Sequence, residues 1–314
     1  MIEAKNISIE QSPIKGIFIC LLAYFLFSAM GLCEKLISHA VTLPIILFFQ
    51  NFICLLLTFP AVKKDCFVIV KKEYVSAYIL RIFSGLGCYA ALFYIIRFIP
   101  ISEALIYQYA GCMWIPFISF FWLNIRMPKN LWYSILVGFL GIILILKPDM
   151  SFFGVVSIVG ILCGISQGIS MVAIRKLSVY EPISRILFYN FFAATIVTTP
   201  LFLKNYPSLT MKDFVLLCTV GITTYLAQKL LTVSLKYANA TTLAPICYSS
   251  ILFTGMFAWI FWHEIPDKIT LLGMAFVIFG CLLSLLLNRF NSKSQKIIKK
   301  DNYADTCSRS EIVN

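Results

Sequence analysis

Apolar residues in this chain come in long unbroken runs. Ten stretches, at about 16–34, 43–62, 75–96, 102–124, 131–146, 153–174, 183–203, 213–235, 241–262 and 269–287, are separated by short polar connections. Each is close to the roughly 20 residues that an α-helix needs to cross a hydrocarbon layer. The period-two alternation of a membrane β-barrel is missing from them. Helices this apolar all round belong in lipid or in a large core, and no segment is long enough for a separate soluble domain. The pattern therefore predicts an all-α integral membrane protein with ten transmembrane helices. The first run is longer than a signal-peptide core and no small-x-small cleavage site follows, so it is expected to remain as a helix.

The pattern also occurs twice. At an offset of 139 residues, Asn51 returns as Asn190, Arg97 as Lys236, Ser102 as Thr241 and Gly141 as Gly280. With one residue of slippage, Pro60 returns as Pro200. The predicted organisation is an N-terminal arm over 1–15, a first five-helix repeat over 16–148, a second over 149–288 and a basic tail over 289–314. Five is odd, so the second repeat enters the membrane upside down relative to the first. Inverted repeats of this kind are a recurrent basis for alternating access, with a site at the repeat interface near the bilayer midplane.

Charge sets the expected orientation. The chain carries 26 Lys and Arg against 14 Asp and Glu, a net charge of +12, yet only 13% of its 314 residues are charged. With the N-terminus cytoplasmic, 18 of the basic residues fall on the cytoplasmic side and 6 outside. By the positive-inside tendency both termini are then cytoplasmic. The basic residues are scattered over helix ends, which argues against nucleic-acid binding. They suit anionic lipid, and the tail from Arg289 onward is expected to rest there.

Catalytic and metal patterns are missing. Eleven cysteines are present without a Cys-x-x-Cys. They read as small apolar fillers, with neither a disulfide framework nor a metal site expected. The two histidines, His39 and His263, stand far apart. The phosphate-cradling Gly-Lys loop, His-Glu-x-x-His and Gly-x-Ser-x-Gly do not occur. The chain is therefore read as no enzyme, without a cofactor and without its own ATP-driven motor. A lipid-modifying enzyme would need a clustered acid–base pair, and a receptor or scaffold would leave solute flux unchanged.

Ionisable groups in the spans are the first candidates for function, because burying them in lipid is costly. Lys229 lies well inside the eighth run and either faces a cavity or snorkels. Glu103, opening the fourth run, is a proton or ammonium partner or a carboxylate at a helix N-terminus. Glu34 is a coupling or gating residue, or the partner of Lys35 in a rim ion pair. Arg81, near the start of the third run, is read as an anchor for lipid phosphate. Gln50, Asn51, Gln108, Gln167, Asn190 and Gln228 must find partners inside the protein. Asn51 and Asn190, as repeat mates, either bond one another or meet the solute. Tyr107, Tyr109, Trp114 and Tyr248 could wall a flat or cationic solute or simply pack. The candidate substrate-binding set is Lys229, Gln228, Gln108, Asn51, Asn190, Tyr107 and Tyr248, with Glu103 and Glu34 for coupling or gating. Gly160, Gly164 and Gly168 share one helix side, where another backbone can approach closely.

Several pieces occur in a telling order. They are Ile99-Pro100-Ile101-Ser102-Glu103-Ala104, Tyr225-Leu226-Ala227-Gln228, Leu243-Ala244-Pro245 and the closing Phe261-Trp262-His263-Glu264-Ile265-Pro266-Asp267 with Leu271-Leu272-Gly273. Together with Arg81 and the inverted repeat, they resemble the EamA-type branch of the drug/metabolite transporter superfamily over about 16–288. The resemblance implies a secondary transporter of the bacterial cytoplasmic membrane, moving a small polar metabolite. The Ala244-Pro245 turn, Tyr248 and the Glu264-Ile265-Pro266-Asp267 close are similar to uptake members that carry S-adenosylmethionine. Export of amino acids, related metabolites or toxic compounds is the alternative, and a homodimer remains open beside a monomer. The chain departs from the family at Asn124-Ile125, where a Gly-Glu pair is common, and at Cys112, where a proline is common. Gln50 and Asn51 also occupy a stretch where the family commonly has an arginine.

Overall fold

The computed structural model describes residues 12–37, 41–62, 72–95, 97–98, 101–124, 129–146, 154–204, 209–263, 267–283 and 286, with backbone alone at 93, 101–106, 129–131, 146 and 262. They form ten helices. The first eight are α1 Pro13–Leu36, α2 Leu43–Val62, α3 Lys72–Ile95, α4 Ile101–Leu123, α5 Lys129–Leu146, α6 Val155–Tyr180, α7 Ile183–Lys204 and α8 Met211–Tyr237. α9 begins as Ala240–Leu243, tightens to a 3-10 turn over Ala244–Tyr248 and continues as Ser249–Trp262. α10 is Lys268–Leu283. Seven of the ten are long and apolar enough to cross a membrane, with α9 taken as Ala240–Phe261. The apolar stretches of α5 and α10, Trp132–Ile145 and Lys268–Leu283, are shorter.

Local chemistry explains where the helices start and bend. Pro13 occupies the first turn of α1, where its missing N–H has no partner to lose. The Thr210 hydroxyl caps α8, accepting from the Asp213 backbone N–H at 3.2 Å and donating to its carboxylate at 2.6 Å. Pro245 cannot donate to the preceding turn, and α9 switches to 3-10 geometry there. Hydroxyls within the spans donate to carbonyls one turn back, among them Thr58 to Cys54, Thr198 to Ala194 and Thr232 to Gln228. These bonds satisfy polar groups where water is scarce.

Packing carries the duplication into three dimensions. α1 packs on α8, as its repeat mate α6 packs on α3. α4 packs on α6, and its mate α9 packs on α1; α2 contacts α8, and α7 contacts α3. The last helices of the two repeats cross through glycine. A Cβ on Gly141 would lie 2.6 Å from the Gly273 carbonyl oxygen, and one on Gly280 would lie 2.9 Å from that of Ser134. Gly141 and Gly280 are repeat mates, and so are Ser134 and Gly273. The two contacts therefore exchange under the same offset, as a two-fold relation requires. The fold is thus an all-helical membrane protein built from two inverted repeats.

The expected glycine face of α6 has a defined partner, α4. A Cβ on Gly164 would lie 2.7 Å from the Tyr107 carbonyl oxygen, and one on Gly111 2.8 Å from that of Gly164. Two expectations change. First, α6 continues to Tyr180, beyond the end of the sixth apolar run at 174, and so includes Arg175 and Lys176. Arg175 is buried and donates to the carbonyls of Leu235 and of Lys236, the latter at 2.9 Å, so its charge is met by the end of α8. Lys176 lies over the Trp122 ring at 4.8 Å. Second, Cys112 of α4 and Cys247 of α9 are joined in a disulfide, although none was expected. They are 135 residues apart, and only the meeting of the mated helices α4 and α9 brings them together.

Candidate functional site

Four helices contribute polar groups at one depth. Arg81 lies nine residues into α3, Ser170 ten before the end of α6, Asn190 seven into α7 and Gln228 nine before the end of α8. At about 1.5 Å per residue these positions lie about 10–15 Å in from the same end of the bundle, toward mid-membrane. Arg81 donates through Nη1 to the Ser170 hydroxyl and through Nη2 to Gln228 Oε1 at 3.5 Å. Its Nε is buried without a hydrogen-bond partner. The residue is 7% exposed. It therefore sits inside the bundle and does not reach a lipid headgroup as the sequence suggested.

Gly85 shapes this arrangement. A Cβ there would lie 3.3 Å from Arg81 Nη1, 3.8 Å from Asn190 Oδ1 and 4.0 Å from Ser170 Oγ. The missing side chain leaves room for the guanidinium beside the next turn of its own helix. Further along α3, Tyr89 is 42% exposed. Arg81 and Tyr89 are eight residues apart, about 12 Å along the axis.

The candidates named from sequence fall into several places. Gln228 and Asn190 belong to the Arg81 cluster, and Gln108 lies against the Cys88 thiol. Glu34 is half-buried at the end of α1. Asn51 and Asn190 do not bond one another: the Asn51 amide donates to the Leu47 carbonyl of its own helix at 2.8 Å. Lys229 is exposed on α8, with Nζ 5.7 Å from the Tyr225 ring centroid and outside the Arg81 cluster. Tyr107 packs its ring on Gly160 and donates to the Ser157 hydroxyl at 3.2 Å. Tyr248 is fully buried, with its ring against Gly138 of α5 and its hydroxyl unpartnered. The Glu103 side chain and Glu264 lie outside the described residues.

Other polar clusters hold helices together. Gln50 donates to the Thr224 hydroxyl at 3.0 Å, tying α2 to α8. Ser28 donates to the Ser250 carbonyl at 2.9 Å, tying α1 to α9. An open groove of about 480 Å³ between α3, α4 and α6 is lined by Leu80, Trp114, Phe117, Ile118, Phe121, Trp122 and Ile169. With no charged group lining it, the groove is a weaker candidate for a polar solute than the Arg81 cluster. Sequence reasoning did not name Ser170, and its reading of Arg81 as a headgroup anchor does not fit the burial of that side chain. The available signal was spacing: Arg81, Ser84, Gly85 and Cys88 recur on one face of α3.

Comparison with known proteins agrees with this architecture. The EamA-like transporter family matches the chain twice, over 14–147 and 154–286. The pseudopaline exporter of Pseudomonas aeruginosa is 30% identical over 270 residues, covering 85% of this chain and 94% of that protein. The S-adenosylmethionine uptake transporter of Rickettsia bellii is 26% identical over 198 residues, covering 63% of this chain and 68% of that one. One crystal structure aligns with a TM-score of 0.74 at 17% identity, covering 88% of this chain and 99% of the other, which shows a shared fold. With both halves matched in sequence and paired in space, this chain belongs to the EamA-like transporter family: it is a multi-pass membrane transporter of small metabolites and not an enzyme.

Proposed function

We propose that this transporter works as an exporter, moving a small polar metabolite out of a bacterial cell across the cytoplasmic membrane. The supporting observation is that its 30% identity to the pseudopaline exporter extends over 94% of that protein. The four S-adenosylmethionine uptake relatives are 24–26% identical over 57–63% of this chain. Uptake of S-adenosylmethionine is the second reading, and it rests on that shorter likeness. In the export reading both termini are cytoplasmic, as the distribution of basic residues suggests. The Arg81 cluster lines the path, and helix rocking changes which side the path opens to. Binding in this path replaces water around the solute with fixed dipoles and charges.

The test follows labelled solute in both directions. Cells expressing the chain are preloaded with S-adenosylmethionine, labelled amino acids or pseudopaline, and loss is compared with vector cells. Faster efflux without saturable uptake is expected. Saturable uptake of S-adenosylmethionine that unlabelled compound competes away would replace the export reading with the second one.

A further inference from the structure

We propose that Arg81, with Ser170, Asn190 and Gln228, is the recognition site for a carboxylate on the transported metabolite. The inference rests on the transport reading and adds the chemical class of the solute. The guanidinium is 7% exposed and interacts with two neutral groups, Ser170 and Gln228. Among the described residues no Asp or Glu pairs with it. Its buried Nε has no hydrogen-bond partner. A buried cation with neutral partners leaves the desolvation of its charge only partly offset. In membrane transporters such charges mark substrate pathways.

The geometry favours a carboxylate. An arginine presents paired N–H donors in a planar fork that fits the two oxygens of a carboxylate. The cluster offers one positive charge, which a monoanionic carboxylate balances and a phosphate dianion would exceed. Asn190 faces the same space, with its Oδ1 3.8 Å from the position that a Gly85 Cβ would take. Turning this amide about its last torsion would present its N–H₂ as a neutral donor to an anion there. Gly85 keeps that space open. The four residues come from α3, α6, α7 and α8, so both repeats contribute, and rocking them would make and release the carboxylate contact.

Two measurements test the proposal. Untargeted mass spectrometry of medium and cell extracts compares cells carrying wild type, R81Q, R81K and empty vector. Metabolites redistributed by wild type are expected to bear a carboxylate. Their flux should fall about tenfold or more in R81Q, the scale of a lost charge-assisted hydrogen bond. R81K, which keeps the charge and loses the fork, should recover part of it. Redistribution of solutes lacking a carboxylate, or unchanged flux in R81Q, overturns the site.

The second measurement is the melting temperature of purified wild type and R81Q without solute. A cation held for a ligand gives R81Q an equal or higher melting temperature, whereas a structural cation gives a lower one and overturns the proposal. If wild-type and vector cells have the same metabolite profile, the transport reading fails. The melting comparison still decides whether Arg81 is there for a ligand.

Discussion

Gly85 decides where Arg81 can put its guanidinium. A methyl at this position would lie 3.3 Å from Nη1, tight enough that the guanidinium must shift. Gly85→Ala should lower solute flux about tenfold through that displacement. Its melting temperature should hold or rise, because alanine favours a helix over glycine by about 1 kcal/mol. Efflux and thermal melts on one preparation check both halves of this expectation. Tyr248 gives the opposite case. Its hydroxyl is buried without a partner at 0% exposure. An unsatisfied buried hydroxyl costs about 1–3 kcal/mol, so Tyr248→Phe should melt higher with unchanged flux. A drop in flux from a stable Tyr248→Phe protein would put that residue back on the solute path. Sequence named Tyr248 without choosing between solute contact and packing, and the role of Gly85 was not legible, since both depend on which helix faces which.

Helices meet where the sequence removes side chains. α5 and α10 approach until Gly141 and Gly273 lie against one another's carbonyls at 2.6–2.7 Å from the ideal Cβ positions. Gly141→Val and Gly280→Val should each destabilise the protein by about 1–3 kcal/mol, as overpacking does. The contacts exchange under the repeat offset, so the two penalties should be similar. Melting of both variants in detergent provides the comparison, and a Gly141→Val protein as stable as wild type would show that the crossing can loosen. At this scale much was readable from sequence. The spans were legible because lipid demands continuous apolar helices, and the Gly160-Gly164-Gly168 face because its spacing matches a helical turn. The extension of α6 past Arg175 was not readable, because the carbonyls that receive that charge belong to α8, 60 residues away.

Transport by rocking requires the two repeats to move against one another, and cysteines already span the gap between them. The Cys112–Cys247 disulfide joins α4 to α9, and the Cys88 and Cys163 sulfurs are 3.6 Å apart between α3 and α6. Solute flux should therefore rise on treatment with dithiothreitol and fall with a mild thiol oxidant. A Cys112→Ala/Cys247→Ala protein should run at the reduced rate until oxidant links Cys88 to Cys163. A variant with all four cysteines replaced should ignore both reagents. Flux independent of redox state in wild type, with the bonds confirmed by mass spectrometry, would mean that these helix pairs stay together through the cycle.

Membrane class, helix number, duplication and inversion are determined by the sequence alone. Each follows from a one-dimensional property: run length against bilayer thickness, a repeat offset, or the parity of five helices. Candidate polar residues could also be named this way, since few polar groups occur in the spans. Tertiary structure decided which of them meet. It turned Arg81 inward past Gly85, brought Ser170, Asn190 and Gln228 to the same depth, left Asn51 bonded to its own helix and sealed Tyr248 under α5. The physical reason is that a helix apolar on all sides carries almost no amphipathic signal. Its rotation is set by close contacts with helices far away in the chain, so the face that meets the solute appears only when the two repeats pack together.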